Sequence, residues 1–265
     1  MFSRERGLHR AVAKGARKPG TKMSGKSEPL NINRLLLAKG KSLDIITQCE
    51  SIETFSALRL NLERLAYALY FAELSQTFGQ ELSQECEVYF DRLSMGLALL
   101  AEGSKEPTLQ CLEFELMLLS LIGLSPELTF CVGCREPLSE TNLSSFSHEL
   151  GGVLCQSCVS KMRKSAYSSY GDEGERERPQ EQVREAREGQ KASVYLTPMV
   201  WKRLILSRAE ADKLGDLSTL EDTSVEGNKT VAEAARRISK GYIEYKSGRR
   251  MRALDILASL PSDHK

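Results

Sequence analysis

The chain has 265 residues, of which 41% are hydrophobic, enough to build one large domain or two ordinary ones. No stretch approaches the roughly 18 consecutive apolar residues that a membrane-spanning helix needs, which excludes an integral membrane protein of the helical type. The 37 basic and 36 acidic residues nearly cancel, so the formal net charge is +1. This balance conceals an uneven distribution along the chain.

The first 26 residues are strongly basic, because they contain eight Lys or Arg and a single acid, Glu5. A basic arm on an otherwise slightly acidic chain favours a polyanionic partner. An organellar transit peptide or a solubilising tail would have a similar composition. Basic and small apolar residues alternate over residues 7–17, and further apolar runs at 30–38 and 43–47 are separated by glycine turns. This pattern predicts β-strands.

From Ser51 the apolar period becomes helical, and we predict that Ser51 caps a helix running toward Phe78. A second helix is expected over about 81–101 and a third over about 109–122. The apolar stripes of these helices are predicted to form a core rather than a ligand site. Their carboxylates are expected to lie on solvent-exposed faces with ordinary pKa values.

Two C-x-x-C pairs follow the third predicted helix, and their spacing is typical of a zinc site. Each pair can aim two thiolates at one point, so that two pairs complete a tetrahedron. The four predicted ligands are Cys131, Cys134, Cys155 and Cys158. Because four thiolates leave no open coordination position, the predicted zinc ion is structural. Buried thiols or a redox dithiol are the alternatives, and His148, in the intervening loop, is expected to be a spectator.

Beyond the second pair, residues 168–192 are predicted to form a flexible charged insertion, since they contain too few apolar residues to offset the entropy of ordering. Order is expected to resume at Leu196, with Thr197 capping a helix and Pro198 in its first position. The last helical region is predicted over residues 230–260, with a second basic surface. That surface is at least as compatible with a solvated helix face as with binding.

Catalytic motifs are missing from the sequence. It contains no G-x-x-x-x-G-K-[ST] phosphate loop, no G-x-G-x-x-G and no G-x-S-x-G. The three histidines, at positions 9, 148 and 265, do not suggest a Ser-His-Asp or Cys-His assembly. We therefore expect a binding protein without enzymatic activity.

Taken in order, the motifs resemble those of the bacterial RecO family of recombination mediators. They are R-A-V-A-K-G-A-R-K-P (10–19), L-L-L-A-K-G-K-S-L-D-I-I-T-Q-C-E (35–50), the leucine-rich helix, the C-x-x-C…G-G-V-L-C-x-x-C ribbon and Y-I-E-Y-K-S-G-R-R-M-R-A-L (242–254). The resemblance implies an α+β fold, with an N-terminal, here partial, OB-fold barrel at residues 1–50. It implies an α-helical domain at 51–265 that carries a four-cysteine zinc ribbon at 128–160.

The resemblance further implies binding of single- and double-stranded DNA, strand annealing, and loading of a recombinase on gapped DNA coated with single-strand-binding protein. Partners would be RecR, single-strand-binding protein and, indirectly, RecA, in the cytoplasm and associated with the nucleoid. Phosphates are the expected DNA contacts, because residues 1–50 contain no aromatic residue except Phe2. The first candidates for contact are Arg10, Lys14, Arg17, Lys18 and Lys22.

Two alternatives and one departure accompany this resemblance. A zinc-ribbon scaffold acting through protein contacts is the main alternative, and a thiol-redox enzyme is the other. The departure is that RecO barrels begin about two strands before the R-A-V-A-K-G-A-R strand, whereas nine residues precede Arg10 here. Since a half barrel would expose unpaired strand edges, we expect a start assigned too far downstream.

Overall fold

The computed structural model describes residues 1–168 except 17, 19, 21, 22, 24 and 27, together with residues 193–213 and 229–258. Helices and strands both occur, which confirms the α+β class. The chain divides into two compact units. The described part of the first comprises Met1–Phe114, Lys213 and residues 250–258, and that of the second comprises Glu115–Asp212 and residues 229–249.

Five strands lie in the first unit: β1 (Phe2–Ser3), β2 (Gly7–Leu8), β3 (Ala11–Val12), β4 (Ile32–Ala38) and β5 (Asp44–Glu53). β1 and β2 form an antiparallel pair, and the other three form a sheet in the order β3-β5-β4. β3 runs parallel to β5, and β4 runs antiparallel to it. Among the described residues, these strands do not close into a barrel.

The strands predicted at 30–38 and 43–47 are confirmed, but a continuous strand over residues 7–17 is wrong. Of the described residues 7–16, only Gly7–Leu8 and Ala11–Val12 form strands, and Gly7 and Gly15 both have positive φ. Because such backbone conformations interrupt a pleated strand, the alternation of small and basic residues there is divided between short strands and turns.

The predicted helix cap at Ser51 is also wrong, because Ser51 pairs with Asn33 inside the β4–β5 ladder. The strand ends where the carboxylate of Glu53 accepts hydrogen bonds from the N–H groups of Thr54 and Phe55. A short 3₁₀ helix (Ser56–Leu60) follows, and helix α1 (Leu62–Thr77) begins after Asn61, whose side chain accepts a hydrogen bond from the N–H of Arg64. Asparagine satisfies a free N–H of the first turn as well as serine does.

Helices α2 (Cys86–Glu102) and α3 (Pro107–Leu121) follow α1 in the predicted positions. In the first unit, the rings of Phe71 and Phe114 stack with centroids 3.8 Å apart. Gly96 permits this approach, since a Cβ there would lie 3.2 Å from both rings. A short helix, α7 (Asp255–Ala258), completes the first unit. Just before it, the N–H groups of Arg252 and Ala253 donate hydrogen bonds to the carboxylate of Glu73.

Two carboxylates of α3 contradict the expectation that helix carboxylates lie on exposed faces. Glu113 and Glu115 are 5% and 0% exposed. Each has a cationic partner within its own unit: Lys105 Nζ lies 2.6 Å from Glu113 Oε1, and Arg236 Nη1 lies 4.0 Å from Glu115 Oε1. Burial of a carboxylate is tolerated when a cation lies beside it.

The second unit contains strands β6 (Leu143–Ser147), β7 (Gly152–Cys155) and β8 (Ser193–Tyr195), in the order β7-β6-β8, and helices α4 (Gln156–Ser168), α5 (Pro198–Lys213) and α6 (Lys229–Ser247). The prediction for the start of α5 is confirmed, because Thr197 Oγ1 accepts a hydrogen bond from Val200 N at 3.4 Å. β8 was not predicted. Its pairing partner β6 lies far away in the sequence, so no local turn signals the pairing.

No described helix combines the length and apolar character needed to span a membrane. The insertion was predicted over residues 168–192. Ser168 is the last residue of α4, and residues 169–192 lie outside the described part of the chain. The division of the chain near residue 50 stays a prediction.

Candidate metal centre and nucleic-acid interface

The four predicted metal ligands come from two tight turns of the second unit. Cys131 and Cys134 belong to a turn in which the N–H of Arg135 donates to the carbonyl oxygen of Cys131 at 2.8 Å. Cys155 is the last residue of β7, and Cys158 lies in the first turn of α4. The junction between a strand and a helix thus aims the second pair of sulfurs at the first.

All four sulfur atoms lie within 4.8 Å of one another. The sulfur atoms of Cys134 and Cys155 are 3.7 Å apart. A tetrahedron with Zn–S bonds of ~2.3 Å has sulfur–sulfur edges of ~3.8 Å. A disulfide would require about 2.05 Å. The spacing therefore fits a shared metal ion and not a bonded pair.

Backbone and hydroxyl groups support the sulfurs. The N–H groups of Gly133 and Cys155 donate to Cys131 Sγ at 3.4 and 3.3 Å. Ser157 Oγ lies at hydrogen-bond distance, 3.0 Å, from Cys155 Sγ. Such contacts orient thiolates and disperse their charge in metal sites of this type.

Burial and these hydrogen bonds act in opposite directions on the thiols. Burial raises the pKa of Cys155, but contacts with Ser157 Oγ and with neighbouring donors outweigh it and lower the pKa to about 6. For Cys158, burial and the neighbouring thiols together raise the pKa. One cluster thus favours thiolate at some positions and opposes it at others, because four negative charges at this distance repel. A divalent cation would remove that conflict.

The donor set fits a soft, tetrahedral metal ion and offers no vacant position for a substrate. His148 is not a member of the cluster. It is buried elsewhere in the second unit, 5.6 Å from the ring of Phe146 between centroids and next to Gly241. Burial lowers the pKa of His148, which favours the neutral imidazole.

Of the five candidate DNA contacts, Arg10, Lys14 and Lys18 are described and exposed, whereas Arg17 and Lys22 lie outside the described residues. Arg10 immediately precedes β3, and Lys14 lies in the turn that follows it. Ala11 pairs with Asp44 at the start of β5, which places Arg10 beside the loop between β4 and β5. A contact of 3.1 Å between His9 Nε2 and Asp44 Oδ2 fixes the same junction.

That loop carries two further exposed cations, Lys39 and Lys41, which the sequence interpretation had assigned only to a turn. Pairing of Ala38 with Ile45 closes the hairpin just before them. The intervening Gly40 is required for the tight loop, since a Cβ there would meet the carbonyl oxygen of Leu43. The signal was present in the sequence, because two lysines flanking the glycine of a hairpin turn must both lie at its tip.

Other basic residues of the N-terminal arm are engaged within the protein. Arg4 forms ion pairs with Glu87 and Asp91, both at 2.9 Å. Lys26 Nζ donates to the carbonyl oxygen of Cys49 at 3.1 Å. These two cations hold the arm to the first unit, so the basic excess of the sequence overstates the charge that is free to bind a ligand.

Comparison with known proteins gives two matching family descriptions. Residues 1–55 match "Recombination protein O N terminal", and residues 59–171 match "Recombination protein O C terminal". Three relatives are each named "DNA repair protein RecO". The protein of Pelotomaculum thermopropionicum is 38% identical over 159 residues, 60% of either chain. That of Symbiobacterium thermophilum is 36% identical over 172 residues, 64% of this chain and 68% of the relative.

The protein of Gloeobacter violaceus is 37% identical over 164 residues, 62% of this chain and 62% of the relative. The chain thus aligns with only about two thirds of the length of these relatives, or less. The matched residues nevertheless run from β1 to the end of α4, the helix that contains the last cysteine of the cluster. The chain matches both the N-terminal and the C-terminal family description, and its relatives named RecO are 36–38% identical to it. These matches show that the chain belongs to the RecO family.

Proposed function

We propose that this protein is a non-enzymatic mediator of recombination in DNA repair. It binds single- and double-stranded DNA, anneals complementary strands and helps to load a recombinase on gapped DNA coated with single-strand-binding protein. RecR and single-strand-binding protein are its direct partners, and RecA is an indirect one. Membership of the RecO family and the name of its relatives support this proposal.

The observation that carries the DNA-binding part is the cluster of exposed cations at one end of the β3-β5-β4 sheet. Arg10, Lys39 and Lys41 lie at that end, and Lys14 lies in the turn after β3. We propose that the strands of the first unit form an OB-type sheet whose end receives the phosphate backbone. Since phosphates carry no sequence information, the binding should depend little on sequence.

Annealing follows from the same electrostatics. Two complementary strands repel through their phosphates, and neutralising both strands on a cationic protein lowers that repulsion. No proton transfer or nucleophile is needed, which agrees with the lack of a catalytic motif in the sequence. Zinc is the proposed ion at the four cysteines. It would stabilise the ribbon of the second unit and would not contact DNA.

The test is fluorescence anisotropy with a labelled oligothymidylate at increasing salt. If about four phosphates are neutralised at this end of the sheet, these contacts alone should contribute a slope of roughly −3 to the fall of the logarithm of the association constant with the logarithm of the salt concentration. A variant with Arg10→Gln, Lys14→Gln, Lys39→Gln and Lys41→Gln should lose most of that slope and anneal strands more slowly.

Two controls complete the test. Arg4→Gln removes a cation that is already paired and should change the salt slope little. An unchanged slope in the fourfold variant would contradict the proposed site. Lack of salt-dependent DNA binding by the unmodified protein would favour the alternative function, a zinc-ribbon scaffold that acts through protein contacts.

A further inference from the structure

The part of α4 that follows the second pair of cysteines is not covered by any other element that the structure describes. All six residues from Ser160 to Ser165 are exposed. In a helix packed against a core, every third or fourth residue would be buried. In the described part of the chain, this segment is therefore an exposed helical surface that begins just after the turn holding Cys158.

This surface is cationic. Lys161, Arg163 and Lys164 lie within it, and α4 contains no Asp or Glu. At about 100° per residue, the three side chains occupy an arc of about 160°, roughly one side of the helix. Lys161 and Lys164 are three residues apart, so their Cβ atoms are about 5–6 Å apart on that side. Ser160 is the only other residue of the exposed segment within the arc.

Among the described residues, no carboxylate lies within ion-pair distance of these three cations. Lys105, Lys202, Arg208 and Lys240, by contrast, each form an ion pair. Cations near a helix C terminus stabilise the helix dipole slightly, but this requires neither three of them nor their position on one side. Binding of an anion, by contrast, accounts for several cations on one side of the helix.

We propose that Lys161, Arg163 and Lys164 form a second surface for the DNA phosphate backbone, in addition to the cations of the first unit. The inference rests on the proposed function, because it assigns more of the DNA contact to a different part of the chain. Two separate attachment surfaces on one chain raise the apparent affinity for a strand that can reach both.

The shape of the surface favours nucleic acid over other anionic partners. An acidic peptide is usually held by a groove that receives its side chains, and six consecutive exposed residues provide no walls for one. A membrane-bound helix needs a broad apolar face, whereas Met162 is the only apolar residue between Ser160 and Ser165. Phosphates need only flexible cations at the right spacing.

The experiment compares three full-length variants by anisotropy with the labelled oligothymidylate, again across a salt series. The first carries Lys161→Gln, Arg163→Gln and Lys164→Gln. The second, a control matched in charge, carries Arg135→Gln, Lys202→Gln and Lys229→Gln, which are exposed and dispersed in the same unit. The third carries Arg10→Gln and Lys14→Gln. Circular dichroism and bound metal establish that each variant is folded.

The α4 variant should bind about tenfold more weakly at low salt, and its salt slope should be smaller in magnitude by about 2, the value for three single-strand phosphates. The charge-matched control should stay within about twofold of the unmodified protein. If the α4 variant misfolds, Lys164→Gln alone should still reduce the slope by about 0.7.

Three outcomes would overturn the inference. One is an α4 variant with unchanged affinity and slope while the Arg10/Lys14 variant is impaired, which would leave the proposed function intact. Another is an equal loss in the charge-matched control, which would indicate only net charge. The last, from a parallel titration with anionic vesicles, is an α4 variant that loses binding to the vesicles but keeps its binding to DNA. Absence of salt-dependent binding in the unmodified protein would instead refute the proposed function itself.

Discussion

The sulfur of Cys134 lies 3.7 Å from the sulfur of Cys155, although 20 residues separate the two in the chain. The hairpin of β6 and β7 accounts for this proximity, since Leu143 pairs with Cys155 and returns the chain to the first turn. Each C-x-x-C turn supplies only half of the donor set. The strength of the metal site therefore depends on the folding of the hairpin between its halves.

We predict that the purified protein contains one zinc ion per chain and that Cys155→Ser removes it. Loss of a ligand opens the tetrahedron, so thermal unfolding should occur at lower temperature. When the concentration of free metal is a thousandfold above the Kd, metal binding adds about 4 kcal/mol to the free energy of unfolding. Metal release should begin as the pH falls, because the ligands must be thiolates.

Elemental analysis and a chelator titration followed by circular dichroism measure both effects. Cys49→Ser is the matched control, since Cys49 lies in β5 of the first unit, and this variant should keep its zinc. A protein whose unfolding is indifferent to a strong chelator would contradict a structural metal.

A second prediction concerns Trp201, whose indole Nε1 donates a hydrogen bond of 2.8 Å to the carbonyl oxygen of Leu128. Trp201→Phe deletes the donor and leaves a buried carbonyl unsatisfied, so the free energy of unfolding should fall by about 1–3 kcal/mol. Urea denaturation followed by far-ultraviolet circular dichroism measures this, because the only tryptophan has been removed. Met199→Leu, at a position 62% exposed on the same helix, should change stability by less than about 0.5 kcal/mol.

The ion pair of Lys105 with Glu113 gives a third prediction. Lys105→Met leaves the carboxylate of Glu113, only 7% exposed at its side chain, without this cation. The free energy of unfolding should fall by about 1–3 kcal/mol, and the double variant with Glu113→Gln should recover part of the loss. Arg34→Met is the control, because the pair of Arg34 with Glu50 is more than two thirds exposed and should contribute about 0–1 kcal/mol. Equal losses at both pairs would contradict the argument from burial.

The sequence predicts features that depend on local spacing. The C-x-x-C pairs, the helix start at Thr197 and the long hairpin strands all have a signal within a few residues, and the structure has them where expected. Ser51 shows the limit of such signals. A serine before an apolar helical stripe is a good cap, but here the pairing of Ser51 with Asn33 prevailed over the local preference.

Features that depend on contacts distant in sequence could not be predicted in this way. The burial of Glu115 depends on a partner on α6, and β8 depends on β6. For the candidate DNA contacts, charge alone did not separate Arg4, which is held by two carboxylates, from Arg10, which is exposed. The tip of the β4–β5 hairpin becomes recognisable as a neighbour of Arg10 only through the parallel register of β3 and β5.

The last prediction follows from the burial of His148. Its Nε2 has no hydrogen-bond partner among the described residues, and burial is the main reason that its pKa is lowered, against a smaller opposing effect of the Ile238 carbonyl. In the unfolded chain the pKa returns to about 6.5. The unfolded state therefore binds more protons as the pH falls below about 6.5, and the folded state loses stability in that range.

His148→Gln should flatten this pH dependence, because glutamine stays neutral. Urea denaturation at pH 7.5, 6.5 and 5.5 measures the free energy of unfolding of both proteins. The variant is expected to be less stable than the unmodified protein at pH 7.5, where the imidazole packs well, and the gap should narrow toward pH 5.5. A difference in the free energy of unfolding that stays constant from pH 7.5 to 5.5 would contradict this prediction. It would mean that the pKa of His148 is the same in the folded and unfolded states.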